Sequence, residues 1–258
     1  MELFVIFAAG FWAGMINVVV GSGTLVTFPT LVLFGYPPLV ANVSNNIGLV
    51  GGGVSGTIGY RRELAGKGPV LRRLLPASVL GGVTGALLLL VLPDEAFRLI
   101  VPVLIAVGLV MVVWGPALQR RSARGRANVE RDAAGLTSRR LTLVAVGIFI
   151  LGIYGGYFGA AQGVLIVGLM SVLTAEDLQS ITGLKNLLTT AVNAVAAVAF
   201  MILAWGSVNW TLVGLIAAGA TVGGVAGARF GRRLSPFLMR AMIVTVGTIA
   251  IVKLLFFD

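Results

Sequence analysis

The sequence predicts an all-α, polytopic membrane protein made of two inverted repeats of about five transmembrane segments each, with a broken or short helix in each half. Its composition, 58% hydrophobic and 11% charged, is too apolar for a water-soluble domain of 258 residues. Apolar runs of about 20 residues recur, each long enough to cross a bilayer as a helix. These runs are continuous rather than alternating, which favours helices over a β-barrel.

Eight long apolar runs and two short ones are the predicted spans. The short runs, 24–35 and 164–174, each follow a glycine-containing break. They divide the chain into an N-terminal membrane repeat (1–115), a cytoplasmic basic linker (116–140) and a C-terminal membrane repeat (141–258). The linker is polar without apolar periodicity, so we expect a mobile loop there. The long runs are 3–20, 39–58, 74–92, 96–115, 141–159, 178–204, 209–228 and 237–257.

Basic residues are concentrated in three of the predicted loops. Of the 19 lysines and arginines, all but Arg98, Lys185 and Lys253 lie in the segments 61–73, 120–140 and 229–240. This positive-inside pattern predicts that the loops are cytoplasmic and touch anionic lipid, and it disfavours a nucleic-acid partner despite the net charge of +10. With five passes in each half, the halves insert in opposite orientations and both termini are extracytoplasmic.

The second half repeats features of the first at a nearly constant separation. At an offset of 140 residues, Gly23 matches Gly163 and Asn46 matches Asn186. At 142 residues, the segment 81–86 (GGVTGA) matches 223–228 (GGVAGA). Internal repeats of opposite orientation are typical of secondary transporters, whose binding sites lie near the midplane at broken helices.

Polar residues accompany the glycines at both breaks. A helix that restarts inside the membrane has unpaired N–H groups and a partial positive charge at its start, which favour an anion. The alternative is that the glycines serve only close helix packing. The first break contains Asn17, Gly21, Ser22, Gly23 and Thr24, and the second contains Gly159, Gln162 and Gly163, preceded by Tyr154 and Tyr157.

The helix after each break carries a polar cluster. Asn42, Ser44, Asn45 and Asn46 follow the first break, and Thr182, Lys185, Asn186, Thr189, Thr190 and Asn193 follow the second. Such residues must face protein or a water-filled cavity, where they either bind a substrate or hydrogen-bond between helices. Lys185 lies about 12 Å of helix beyond Asp177, close to the limit for snorkelling to the interface.

The residue types that are missing narrow the function. The chain has no histidine or cysteine, and its nine carboxylates all lie in predicted loops or at helix ends. These absences disfavour an enzyme, a metal site, a cofactor and a carboxylate proton relay, and a small-molecule anion is the expected substrate. The candidate substrate-binding residues are Asn17, Ser22, Gly23, Thr24, Asn42, Asn45, Asn46, Tyr154, Tyr157, Gln162, Gly163, Lys185, Asn186 and Thr189.

The sequence resembles the sulfite exporter TauE/SafE family of bacterial membrane permeases. The likeness is carried by Gly21-Ser22-Gly23, by Pro29 and by the run 35–41 (GYPPLVA), and in the second half by 205–210 (WGSVNW) and 223–229. It implies a bacterial inner (plasma) membrane protein that transports sulfur-containing anions such as sulfite or organosulfonates. Ala160-Ala161-Gln162 departs from the pattern, because glycines are usual there.

We therefore predict a transporter that exports a small sulfur-containing anion by alternating access at a midplane site. The membrane potential, negative inside, would drive an anion outward by about 2.3 kcal/mol per charge per 100 mV. The alternative is an importer of the same fold for another small anion or an organic solute. A membrane enzyme or a scaffold is disfavoured, and the sequence leaves open whether the chain forms a homo-oligomer.

Overall fold

The computed structural model describes residues 1–131, 138–231 and 236–256, and within these ranges the chain is helical without strands. A 3-10 turn, Trp205–Ser207, lies between the eighth and ninth helices. The α-helices are α1 (Glu2–Val19), α2 (Thr24–Leu33), α3 (Pro38–Gly59), α4 (Gly68–Val91), α5 (Asp94–Arg131), α6 (Ser138–Tyr157), α7 (Gln162–Leu173), α8 (Leu178–Leu203), α9 (Trp210–Phe230) and α10 (Pro236–Phe256).

Seven helices in the described ranges are long and apolar enough to cross a membrane, so the chain is a multi-pass membrane protein. The two shorter apolar helices, α2 and α7, are the short runs expected from the sequence. The predicted span 39–58 is helical as α3 but is not among the seven. Because α3 has 22 residues and no charged side chain, its glycines and polar cluster are what lower its hydropathy.

The linker differs from the expectation in its first part. Helix α5 continues from the predicted span 96–115 to Arg131, so residues 116–131 are helical rather than a loop. Residues 132–137 lie outside the described ranges, and α6 begins at Ser138. The domain boundaries themselves remain a prediction.

Three pairs of packed helices, each joining the two halves, have counterparts in which the halves exchange roles. The packing of α1 on α9 corresponds to that of α6 on α4. The packing of α3 on α9 corresponds to that of α8 on α4, and the packing of α2 on α10 corresponds to that of α7 on α5. Glycines bring these backbones together: a methyl group on Gly10 would lie 3.0 Å from Cα of Ile216, and one on Gly81 would lie 2.9 Å from Cα of Gly152. Close packing through small residues is typical of membrane helices.

The ends of the helices form two opposite faces. At one face, Tyr36 Oη donates to Glu2 Oε1 at 2.7 Å, and Lys253 Nζ donates to the Val32 carbonyl at 2.7 Å. At the other, Lys67 forms an ion pair with Glu176 where α3 ends and α4 begins. We call the second one the arginine face, because Arg61, Arg62 and Arg229 lie there around one cavity.

Candidate functional site

The two breaks share the same backbone turn. Gly21 has a φ of +92° and donates its N–H to the Ile16 carbonyl at 3.0 Å. Gly159 has a φ of +76° and donates its N–H to the Tyr154 carbonyl at 3.0 Å. Both conformations are left-handed and favour glycine. The breaks therefore correspond at a separation of 138 residues, so Gly21 matches Gly159, whereas the sequence comparison had matched Gly23 with Gly163.

Unpaired polar groups surround the start of α2 in the first break. Ser22 is 1% exposed, and its hydroxyl has no hydrogen-bond partner among the described residues. The backbone N–H groups of Ser22, Gly23 and Thr24 likewise find no acceptor in the described part of the chain. Buried donors without acceptors are rare in folded proteins, and here four of them occur together at the positive end of a helix.

The side chains of Asn45 and Asn42 on α3 form hydrogen bonds to neighbouring helices. Asn45 accepts a hydrogen bond from the Thr27 hydroxyl and donates from Nδ2 to Thr24 Oγ1 at 3.5 Å, which fixes the first turn of α2. Asn42 donates from Nδ2 to the Tyr157 carbonyl at 3.0 Å, at the end of α6. Thr27 was not among the residues predicted for the site, although its spacing of three residues from Thr24 places both on one helix face.

At the second break, the side chains of Gln162 and Tyr154 are occupied by internal hydrogen bonds. Gln162 is buried and donates from Nε2 to the Leu151 carbonyl at 3.0 Å, and the Tyr154 hydroxyl donates to the Ala160 carbonyl. The Gly163 N–H donates to the Gly21 carbonyl at 3.0 Å. We had expected N–H donors for a substrate at both breaks. At the second one Gly163 already has a protein acceptor, whereas the N–H groups of Ala160 and Ala161 have none among the described residues.

The two breaks touch each other, and Lys185 packs at their junction. A methyl group on Gly21 would lie 2.5 Å from Cα of Gly163, and one on Gly163 would lie 2.8 Å from Cδ of Lys185. The aliphatic stem of Lys185 therefore covers the start of α7. This contact could not be predicted from the sequence, because Gly21 and Lys185 belong to different halves.

The Lys185 ammonium binds the end of α1. The residue is fully buried, and Nζ donates to the carbonyls of Asn17 and Val18, both at 2.8 Å. These carbonyls belong to the last turn of α1, the negative end of the helix dipole, which stabilises a cation there. The side chain thus runs to the break and does not snorkel. Of the three N–H donors of an ammonium, two are used here.

The remaining candidates fall into two groups. Asn46 Oδ1, Asn186 Nδ2 and the Tyr157 hydroxyl are buried and have no partner among the described residues. Thr189 instead donates within its own helix, to the Lys185 carbonyl at 2.9 Å. No hydrogen bond recorded for the described residues joins Asn45-Asn46 to Lys185-Asn186, so their convergence on one substrate stays a prediction.

Comparison with known proteins identifies a family of similar membrane proteins. The model of the family "Sulfite exporter TauE/SafE" matches residues 6–254. The chain is 30% identical over 257 residues to "Probable membrane transporter protein YfcA" of Escherichia coli (strain K12), covering 98% of this chain and 89% of that protein. It is 24% identical over 258 residues to "Probable membrane transporter protein" of Haemophilus influenzae (strain ATCC 51907 / DSM 11121 / KW20 / Rd), covering 98% and 94%. No solved structure matches the chain.

Proposed function

The chain belongs to the sulfite exporter TauE/SafE family and is a membrane transporter, and we propose that it exports a small sulfur-containing anion, sulfite or an organosulfonate, by alternating access. The family and the curated relatives support transport across a membrane. The choice of substrate rests on the chemistry of the first break and on the description of the family.

The observation that carries the proposal is the group of unpaired donors at the start of α2. An oxyanion placed there would accept hydrogen bonds from the Ser22 hydroxyl and from the N–H groups of Ser22, Gly23 and Thr24. The remaining N–H of the Lys185 ammonium would add positive charge beside it. No carboxylate occurs in the sequence between Glu2 and Glu63 or between Asp132 and Glu176, so neither break carries a competing negative side chain.

The helix directions support the proposal of inverted repeats. Contacts of Gly10 with Ile216 and of Gly14 with Ala220 show that α1 runs parallel to α9, and contacts of Gly48 and Gly52 show that α3 also runs parallel to α9. Helix α4 begins at the face where α3 ends. Because α6 runs parallel to α4, α1 and α6 have opposite directions. With the arginine face in the cytoplasm, both termini would be extracytoplasmic.

An importer would use the same site. The negative potential inside the cell favours outward movement of an anion, which is the reason for proposing export. Flux of sulfite measured in proteoliposomes at imposed potentials of opposite sign separates the two directions. The proposal expects net movement away from the arginine face when that side is negative.

The proposed site is tested with the Ser22→Ala variant, reconstituted into proteoliposomes. A hydrogen bond to a charged group contributes about 1.5–3 kcal/mol, so the apparent affinity for sulfite should fall by at least about tenfold. Thermal stability should stay the same or rise slightly, because the hydroxyl has no protein partner to lose. The readouts are the concentration dependence of sulfite flux, with methanesulfonate and acetate as comparison solutes, and the unfolding midpoint.

Ser78→Ala is the matched control. Ser78 is equally buried, but its hydroxyl has a protein partner, since it donates to the Leu188 carbonyl of α8 at 3.1 Å. This variant should lose about 1 kcal/mol of stability and keep its sulfite affinity. An unchanged affinity in Ser22→Ala, with normal flux, would exclude the start of α2 as the anion site.

A further inference from the structure

A cavity of about 550 Å³ opens at the arginine face, and we propose that it is a second oxyanion-binding site, separate from the first break. It lies between the end of α3 and the end of α9. Nothing in the proposed transport site uses its side chains. The cavity is lined by Gly59, Arg61, Arg62, Glu63, Ala228 and Arg229.

Close packing of α3 and α9 builds the cavity. Gly59 and Ala228 are in contact, since a methyl group on Gly59 would overlap Cβ of Ala228. The chain continues from these contact points into Arg61 and Arg62 on one side and Arg229 on the other. Arg61 Nη1 donates to the Ile58 carbonyl at 3.2 Å, which orients its guanidinium at the end of α3. The arginines of two different helices thus converge on one space.

The charge and size of the cavity select the class of ligand. Three guanidinium groups face one carboxylate, that of Glu63, which leaves an excess of two positive charges. Guanidinium groups donate paired N–H bonds that match the oxygens of sulfite, sulfate or phosphate groups. One water molecule occupies about 30 Å³ in the liquid, so the cavity can hold a small oxyanion together with several waters.

The cavity is connected to the junction of the two breaks through α8, but none of its lining residues belongs to that junction. The loop that carries its residues packs on α8: a methyl group on Gly183 would lie 3.3 Å from Cβ of Glu63. Gly183 precedes Lys185 by two residues. At the end of α1, the side chain of Val18 packs against Gly56 of α3, and that of Val19 packs against Gly231, which follows α9. If the proposed function holds, the cavity is where a cytoplasmic anion first meets the protein.

Two sources can supply the same oxyanion chemistry. One is a soluble anion such as sulfate or sulfite, and the other is the phosphate of an anionic lipid headgroup. Both would accept hydrogen bonds from the same arginines. The probes are therefore inorganic sulfate and short-chain phosphatidylglycerol, each added to the full-length protein purified in a neutral detergent.

The decisive variant is Arg62→Gln/Arg229→Gln, made in the Ser22→Ala background so that the first break contributes little binding. The matched control in that background, Arg72→Gln/Arg73→Gln, removes the same charge from exposed residues at the beginning of α4 that do not line the cavity. Binding is measured as the concentration of each probe that raises the unfolding midpoint. We expect affinity for one probe to fall at least about tenfold in the cavity variant only.

Each outcome has a defined meaning. Selective loss of sulfate binding identifies a soluble anion as the ligand, and selective loss of phosphatidylglycerol binding identifies a lipid headgroup. Equal binding by the cavity variant and the control overturns the site. Arg62→Lys/Arg229→Lys, which keeps the charge without the paired donors, should bind with intermediate affinity and guards against a folding defect. If no variant or parent transports sulfite, the proposed function fails while these binding results still decide the second site.

Discussion

The two breaks have the same backbone turn but differ in the polar side chain at the start of the following helix. Gly21 and Gly159 share a left-handed conformation and the same backbone hydrogen bond to the preceding helix. After the first turn, Ser22 and the first N–H groups of α2 remain unpaired within the described structure. After the second, Gln162 and Gly163 bind protein carbonyls. The repeated backbone turn therefore carries different side-chain chemistry: the Ser22 hydroxyl has no partner among the described residues, whereas the Gln162 amide donates to a protein carbonyl.

The residues that follow the breaks differ in the same sense. Asn45 reaches the helix after its own break and fixes the first turn of α2. Lys185, at the corresponding position, reaches across the molecule to the end of α1. The second half thus places a cation at the end of α1, just before the first break.

The largest effect is expected for Gly21→Ala. The new methyl group would lie 2.5 Å from Cα of Gly163, in a conformation with a φ of +92°. The conformational strain and the overlap together should cost about 3 kcal/mol or more. Gly159→Ala is the comparison: its methyl group would meet only the Gly155 carbonyl oxygen, at 3.0 Å, so its cost should be smaller. The free energy of unfolding in detergent is measured for both variants. Equal losses of stability would contradict the tighter packing at Gly21.

Lys185→Met tests the contribution of the second half to the first break. Methionine retains an apolar side chain against Gly163 but leaves the Asn17 and Val18 carbonyls without the ammonium. Loss of this buried, charge-assisted pair of bonds should cost about 2–3 kcal/mol and lower sulfite flux at least about tenfold. Flux is compared at equal amounts of folded protein. Full transport by a well-folded variant would remove Lys185 from the site.

Gln162→Leu sharpens the contrast between a structural and a binding break. The substitution removes the hydrogen bond to the Leu151 carbonyl and should cost about 1–2 kcal/mol of stability. Because the Gln162 amide already donates to the protein, the concentration of sulfite at half-maximal flux should not change. A rise like that expected for Ser22→Ala would show that both breaks contact the substrate.

The smallest expected effect is on stability, from the capping of α8 by Asp177. Asp177 accepts hydrogen bonds from the Ser180 hydroxyl and backbone and from the Gln179 N–H, which together lower its pKa below the usual value. A lowered folded-state pKa means that the stabilisation is present above the ordinary carboxyl pKa and is lost as the pH falls through the lowered one. Asp177→Ala should therefore cost about 1 kcal/mol at neutral pH and less in acid.

Helix α3 provides the comparison for that effect, since Pro37 precedes it without any side-chain cap. Asp177→Asn should keep most of the stability at neutral pH and remove this part of the acid dependence. Unfolding midpoints measured from neutral to acidic pH check both expectations. An unchanged acid dependence in Asp177→Asn would assign it to other carboxylates.

Much of the architecture was predictable because hydropathy is a local property. The apolar runs located the helices, and Gly21-Ser22-Gly23 located the first break. The length of α5 was not predictable in this way, because the sequence of residues 116–131 shows no apolar periodicity although the segment is helical. The matching of Gly23 with Gly163 failed for a related reason: identity of residue type does not report the backbone angle that Gly21 and Gly159 share.

The sequence by itself determined that the chain is a multi-pass helical membrane protein with two glycine-containing breaks and polar clusters after them, since these depend on composition and spacing. Only the tertiary structure decided which polar groups remain free. The Gly21 carbonyl takes the N–H of Gly163, and α1 takes the ammonium of Lys185, across 142 and about 168 residues of chain respectively. In a membrane, where water cannot satisfy a buried polar group, such distant partners decide which polar groups of a break stay without a protein partner.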